Sequence, residues 1–236
     1  MTTQPNFERW FRDGERVEGD PIPAATVVLV RGGDGGVETL MLKKNSELAF
    51  GGMWVFPGGR IDDADREGAI DIEAAARRAA VREALEEAAL VVDQDSLAFV
   101  SHWTPPGLAP KRYATWFFVA PAPEGAVAID MGEIHDEAWM GPADALARRD
   151  AGEIELAPPT WVTLHHLSEF DTVETLMADA HARIPVYYET VMAKSDLGLA
   201  ALWVGDAGYE TGDLDAPGPR HRLWMTGNEW RLEIKP

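Results

Sequence analysis

The chain has no cysteine. That excludes disulfides and thiolate metal centres, but it does not fix the compartment. No apolar run approaches the roughly 20 residues that a bilayer-spanning helix needs. The first twenty residues, MTTQPNFERWFRDGERVEGD, lack the apolar stretch of a secretion signal. Positive charge is scarce: 21 Lys and Arg stand against 40 Asp and Glu, a formal net charge of −19. Such a chain has no basic footprint for nucleic acid. It can still take a phosphate substrate if a metal screens the charge. Neither the G-x-S-x-G of serine hydrolases nor the H-E-x-x-H of zinc proteases occurs. There is no internal repeat and no low-complexity tract. The expectation is a cytoplasmic protein with a small-molecule partner and neither membrane nor nucleic acid.

What is present is ample core material, 46% hydrophobic residues in 236, enough for one domain with an extension or two small domains. The chain is organised around residues 56–90, FPGGRIDDADREGAIDIEAAARRAAVREALEEAAL. The pattern predicts a helix over 72–90. At about 100° per residue, Glu83, Glu86 and Glu87 fall within one arc of roughly 100°. Val81, Leu85 and Ala88 fall on the other side and are expected to face a core. Ala76, Ala79 and Ala80 lie above the glutamates and are small, so a ligand is expected to approach there. A glutamate-rich helix face is ordinarily just a solvated face. The upstream Pro57-Gly58-Gly59 changes that weighing, because it supplies a tight turn with close backbone approach. Crowded carboxylates repel one another, and a hard cation such as Mg²⁺ relieves the repulsion.

At this point the chain resembles the Nudix hydrolases. Their box is Gly, five residues, Glu, seven residues, then Arg-Glu-apolar-x-Glu-Glu-x-Gly-apolar. The matches are Gly59, Arg82, Glu83, Ala84, Glu86, Glu87 and Leu90. Two departures stand out. Between Gly59 and Arg82 there are 22 residues, about nine more than in the family's box, and Ala89 replaces the late glycine. Glu73 is one place off the usual first Glu and points away, so it is left out of the site. Ala89 costs about 1 kcal/mol if that position is left-handed. PKRYATWFFVAP, an acidic segment before Trp139, and GEIELAPPTWVTLHHL resemble the branch that contains a mammalian peroxisomal coenzyme A diphosphatase and its bacterial relatives. The likeness covers roughly residues 22–236.

The resemblance implies an α/β (α+β) Nudix fold: a mixed β-sheet sandwiched between helices, with a C-terminal helical and β extension. It implies metal ligands Glu83, Glu86, Glu87 and the Gly59 carbonyl, with Mg²⁺ as cofactor and Mn²⁺ as a substitute. Arg82 would orient the carboxylates, and Glu133, with Glu137 next, is the loop candidate for a base. Arg112, Lys43 and Arg60 are the substrate-binding candidates, Lys43 and Arg112 for a second phosphate. Leu48 falls where coenzyme A signatures of other branches carry an Arg. The implied activity is cleavage of the diphosphate in a nucleoside diphosphate derivative, coenzyme A or acyl-CoA. ADP-ribose, NADH or dinucleoside polyphosphates are the alternative substrates. A non-catalytic nucleotide-sensing module is the rival of another class, and the intact glutamate set disfavours it. A homodimer is left open.

The remaining segments divide as an N-terminal arm over 1–20 carrying Trp10 and Phe11, a Nudix domain over 21–168, and a C-terminal helix with a small β extension over 169–236. Strands are expected at 24–30, 38–43, 97–103, 113–120 and 133–140, and helices at 142–149, 159–168 and 172–183. The run Arg31-Gly32-Gly33-Asp34-Gly35-Gly36 is a hairpin turn, not a phosphate loop, because a strand follows directly. A small β extension is expected over 203–236, with strands at 221–225 and 230–234 around Gly227-Asn228. His165 and His166 diverge by about 100° on a helix, which suits packing more than metal binding. The nine Trp residues are core, with Trp103 and Trp116 the candidates for a ligand platform.

Overall fold

The computed structural model describes residues 19–45, 51–107, 112–196, 198–227 and 229–236. The readings made for Trp10, Phe11, Leu48 and Asn228 lie outside them. Twelve strands and five helices are described. The strands are β1 (Ile22–Gly33), β2 (Gly36–Lys44), β3 (Trp54–Val55), β4 (Gly58–Arg60), β5 (Ala98–Thr104), β6 (Tyr113–Pro121), β7 (Ile134–Met140), β8 (Val186–Glu189), β9 (Val191–Ser195), β10 (Gly198–Leu202), β11 (Arg220–Thr226) and β12 (Glu229–Lys235). The helices are α1 (Asp63–Arg66), α2 (Ile72–Ala88), α3 (Pro142–Asp150), α4 (Pro158–Leu167) and α5 (Val173–Ala182).

The first eight strands form one mixed sheet in the order β3-β2-β1-β6-β5-β8, with β4 also on β1 and β7 on β2. The glycine run at 31–36 closes the β1–β2 hairpin, whose last pair is Gly33 with Gly36. The long β1 pairs in parallel with β6 from Ile22–Tyr113 to Val30–Pro121. Its side chains alternate as a strand requires. Ala25, Val27 and Leu29 face α2, while Val28 and Val30 face a second core shared with α3, α4 and α5. The sheet therefore lies between helical layers.

The helix α2 begins at Asp71, whose carboxylate accepts from the Ala74 N–H at 2.8 Å. Its buried stripe is Ala76, Ala80, Ala84 and Ala88 at four-residue spacing, all fully enclosed. Ala88 faces the core as expected and Val81 packs against its edge, but Leu85 does not. What approaches the small side chains is the sheet, not a ligand, and Leu85 is half exposed. Small residues let the helix axis sit close to the strands, so the alanine stripe takes the centre of the contact, with Val81 at its edge and Leu85 outside it.

The four strands from Val191 onward form a separate antiparallel sheet, β12-β11-β10-β9. It begins before the expected boundary at Trp203, and β8 just ahead of it joins the main sheet beside β5. One face contributes Ala201, Trp203, Leu223 and Met225 to the main core. The other packs Ala193, Ala200, Leu202 and Trp224 against Leu214. A fully buried ion pair pins the connecting loop: Arg222 donates to Asp206 at 2.6 and 2.7 Å. Burial alone would raise the Asp206 carboxyl, but the donors from Arg222, His221 and Gly208 outweigh it and hold it at about 2.

At the end of α2, Ala89 adopts φ 56° and ψ 29°, and it is the one described non-glycine residue with positive φ. A β-carbon is disfavoured there, whereas glycine tolerates it. Ala89→Gly is therefore expected to stabilise the protein by about 1 kcal/mol, read as a higher urea midpoint at unchanged slope. A lower midpoint would show that Ala89 is held by packing instead.

Candidate active site

Two glycines bring the sheet and the helix together at the site. A β-carbon on Gly59 would collide with the Glu83 carboxylate, and one on Gly58 would collide with Ala25 and Thr26. Both glycines belong to β4, which pairs with β1 at Ala24–Arg60, Ala25–Gly59 and Thr26–Gly58. The Gly58 N–H donates to Glu87 at 2.9 Å. The Pro-Gly-Gly turn thus lets backbone and carboxylates touch directly.

Arg82 is the hub. Its Nη1 donates to Glu83 at 2.9 Å and to Glu86 at 2.8 Å. Its Nε and Nη2 donate to the two oxygens of Asp65 at 3.2 and 2.9 Å, and Nη2 also reaches the Arg60 carbonyl at 2.9 Å. The hydrogen bond to Asp65 is the largest of the influences that hold Arg82 charged. Asp65 is buried, and its carboxylate also accepts from the Asp62 N–H at 2.9 Å.

Sequence reasoning missed Asp65, although a signal was available. After the five residues that follow Gly59 stands Asp65, in the place of the box's first Glu. The extra residues therefore follow Asp65. They make the turn before α2, where Arg78 holds the Glu67 carbonyl at 2.6 Å. Glu73 pairs with Arg77 away from the site, as expected.

The three glutamates do not converge on one point. Among the described residues, no three acidic or histidine side chains group closely enough to hold a metal ion. The reason is that two cations divide them. Glu83 and Glu86 are drawn together by Arg82, whereas Glu87 is buried and paired with Lys44. The arc that holds Glu87 also carries Ala80 and Ala84, so its carboxylate points under β4 and not to solvent. Burial lowers the Lys44 ammonium, but Glu87, Glu133 and Glu83 more than compensate, and it stays charged. Glu83 is pushed up to about 7, chiefly by burial and further by Glu87 and Glu86, against the pull of Arg82.

These features fit a hard divalent cation in their chemistry. Two carboxylate oxygens already meet at one nitrogen, and the glycine backbone lies against one of them. A carboxyl raised that far gains its charge most readily when further positive charge arrives.

The other predicted residues are dispersed. Glu133 sits at the mouth with its side chain 58% exposed, its carboxylate 3.5 Å from Lys44. Arg60 is exposed and, among the described residues, its side chain pairs with Asp62 at 3.7 Å. Strand alternation turns Lys43 away from the face of Lys44, and it is Lys44 that lines the cavity. Arg112 donates to the Gly19 carbonyl at 2.9 Å and to Pro105 at 3.4 Å, so its guanidinium clamps backbone. Glu137 lies on β7 opposite Leu42, away from the cavity lining. His166 bonds Glu169 at 3.1 Å, and His165 stacks on Trp161, as packing residues do. Trp103 lines the cavity, while Trp116 packs against His102.

The cavity has a volume of about 520 Å³, within the range of small-molecule sites. It runs from Glu83 and Glu86 across the sheet to Trp203.

A model of the NUDIX domain matches residues 20–160. The chain belongs to the NUDIX family. It carries the family's fold, with an added C-terminal sheet, and is a Nudix-type pyrophosphohydrolase. A NUDIX hydrolase from Alicyclobacillus acidocaldarius is similar in structure at TM-score 0.63 and 23% identity, over 69% of this chain and 97% of that one. A MutT NUDIX hydrolase from Burkholderia pseudomallei aligns at TM-score 0.48 and 19% identity, covering 62% and 98%. The NUDIX domain of Shewanella oneidensis NrtR, solved with ADP ribose, aligns at 0.48 and 19%, covering 70% and 98%. No curated protein matches the chain.

Two outcomes are expected from the division of charges. Glu87→Ala leaves Lys44 buried without its main partner and is expected to cost about 3 kcal/mol of stability. Glu86→Ala, at an exposed position, is expected to cost less than about 0.5 kcal/mol. Equal midpoints in urea would show that Lys44 repartners with Glu133. Asp65→Asn frees one side of Arg82 and is expected to raise the Mg²⁺ concentration needed for activity by roughly 10–100-fold, with activity recovering as Mg²⁺ is raised. An unchanged Mg²⁺ titration would reduce Asp65 to a helix-capping residue.

Proposed function

We propose that this Nudix hydrolase cleaves the diphosphate of coenzyme A or an acyl derivative, giving 3′,5′-ADP and a phosphopantetheine. The carrying observation is the placement of Glu83, Glu86, Arg82 and Lys44 at one end of an elongated cavity. Glu83 and Glu86, with the Gly59 carbonyl, would hold Mg²⁺ or Mn²⁺, and Glu87 would join by releasing Lys44. The ion when bound would polarise the diphosphate and make a bound water more acidic.

The protein's own groups supply the rest. Arg82 holds the two carboxylates in register and is itself held by Asp65. Glu133 is exposed and sits beside Lys44, which suits it to take the proton from the attacking water. Arg60 is free enough to swing onto a phosphate oxygen. Lys43 and Arg112 receive no phosphate in this reading, since Lys43 faces away and Arg112 is committed to the 105 loop. The branch resemblance favours coenzyme A, and the uncharged part of the cavity lining suits its pantetheine arm.

The test is product analysis with Mg²⁺ across coenzyme A, ADP-ribose, NADH and a dinucleoside tetraphosphate. Coenzyme A is expected to give the highest kcat/KM. Glu86→Gln is expected to lower kcat at least about 100-fold at unchanged melting temperature. Good cleavage of ADP-ribose or NADH with coenzyme A untouched would move the substrate to that class. No cleavage of any would make the chain a nucleotide-binding module.

A further inference from the structure

We propose that the far end of the cavity is a specificity pocket for an uncharged, mainly apolar arm carried on the diphosphate, and that the C-terminal sheet builds it. The near end is taken as the diphosphate site, so the inference rests on the hydrolase reading there.

The strand order sets the geometry. The near end is at Gly58 and Gly59 on β4. From β4 the sheet runs through β1 and β6 to β5, three steps of about 4.8 Å each, or about 14 Å in all. Ala24, Thr115 and Trp103 stand at one level across those strands by register. Beyond β5 the wall changes owner. Met192, Ala201 and Trp203 come from β9, β10 and the residue that follows β10.

Charge separates the two ends. Among the described lining residues, every charged one lies on β2, β4 or α2, or in the loops beside α1 and β7. The far end offers aromatic and aliphatic walls with threonine hydroxyls. One of these, on Thr190, accepts the Trp203 indole N–H at 3.2 Å. A phosphate buried there would meet no cation among the described lining residues and would be costly. An apolar arm with a few amide or hydroxyl groups meets matching surface.

The aromatic rings do not form a slot for a nucleobase. Stacking needs a free ring face. Trp103 already stacks on Tyr188, with centroids 3.8 Å apart and planes at 11°. Trp203 stands edge-on to both at 85° and 76° and is fully buried. The rings wall the pocket by packing on one another.

The experiment uses two substrates with the same ADP half, 3′-dephospho-coenzyme A and ADP-ribose. It also uses pantetheine and adenosine as uncleaved probes of the full-length protein. Wild type is expected to favour 3′-dephospho-coenzyme A by at least about ten-fold in kcat/KM. Met192→Asp is expected to erase that preference through KM, and Met192→Trp covers the case in which a buried charge unfolds the protein. In ¹H–¹⁵N spectra, pantetheine is expected to move the indole N–H signals of Trp103 and Trp203, assigned through Trp→Phe variants, and to move them less in either Met192 variant.

If those signals move but neither substrate is cleaved, the hydrolase reading fails and the pocket stands. If cleavage occurs without preference and pantetheine moves neither signal, the pocket is overturned and the hydrolase reading stands. If adenosine moves the signals and pantetheine does not, the far end holds the base and the inference is wrong.

Discussion

The structure of the site depends on one guanidinium. Arg82 binds Asp65, Glu83, Glu86 and the Arg60 carbonyl at once. Remove it, and buried carboxylates face one another across a low-dielectric gap, where repulsion is far stronger than in water. With it in place, the helix, the β4 turn and the segment ahead of α2 share one counterion. Arginine suits this because its donors form a rigid fork, which a lysine cannot reproduce. Glu83 is nonetheless pushed up to about 7, so Arg82 compensates only part of the charge. The remainder is what makes the corner receptive to a further cation.

A second cation completes the balance. Lys44 lies between Glu87 and Glu133 and links the helix to the loop before β7. It is the last residue of β2, and its neighbour Lys43 points the opposite way. A basic pair at a strand end is easy to see in a sequence, but which member turns inward depends on the register with β3 and β7. That register carries an irregularity between Lys43 and Lys44. No local propensity predicts such a shift.

Much of the fold was legible because its periodicities are strong. The β1–β2 hairpin, the central helix, the strands β5 to β7 and the three later helices stand where their patterns place them, within a few residues. The facing of α2 was legible only in part: Ala88 and Val81 meet the core but Leu85 does not, because the core stripe is alanine and contrasts little with its flanks. The strands β8 to β10 escaped for a related reason. They are short, and GLAAL of β10 has a helix-forming composition whose strand state comes from pairing with β9 and β11. In the site, the grouping of Arg82 with Glu83 and Glu86 could be read from the box, whereas the separation of Glu87 onto Lys44 could not. Asp65 was hidden by the inserted residues, since counting back from Arg82 points to the wrong acid and counting forward from Gly59 points to the right one.

The acidity of the chain bears on how such a site takes a polyanion. A net charge of −19 repels a diphosphate at long range. At physiological ionic strength that field fades over about 8 Å. Inside the cavity mouth the local balance decides instead, and there Lys44, Arg60 and Arg82 are gathered beside the glutamates. Lys44 and Arg82 are already engaged with carboxylates, and Arg60 holds only a long pair with Asp62 at 3.7 Å among the described residues. A diphosphate entering without a cation would have to compete with Glu83 and Glu86 for Arg82. Entering with one, it adds positive charge where the protein is short of it. The same balance explains why the far wall carries no charge at all among its described residues. An ion placed there would lack the counterions that make the near end tolerable.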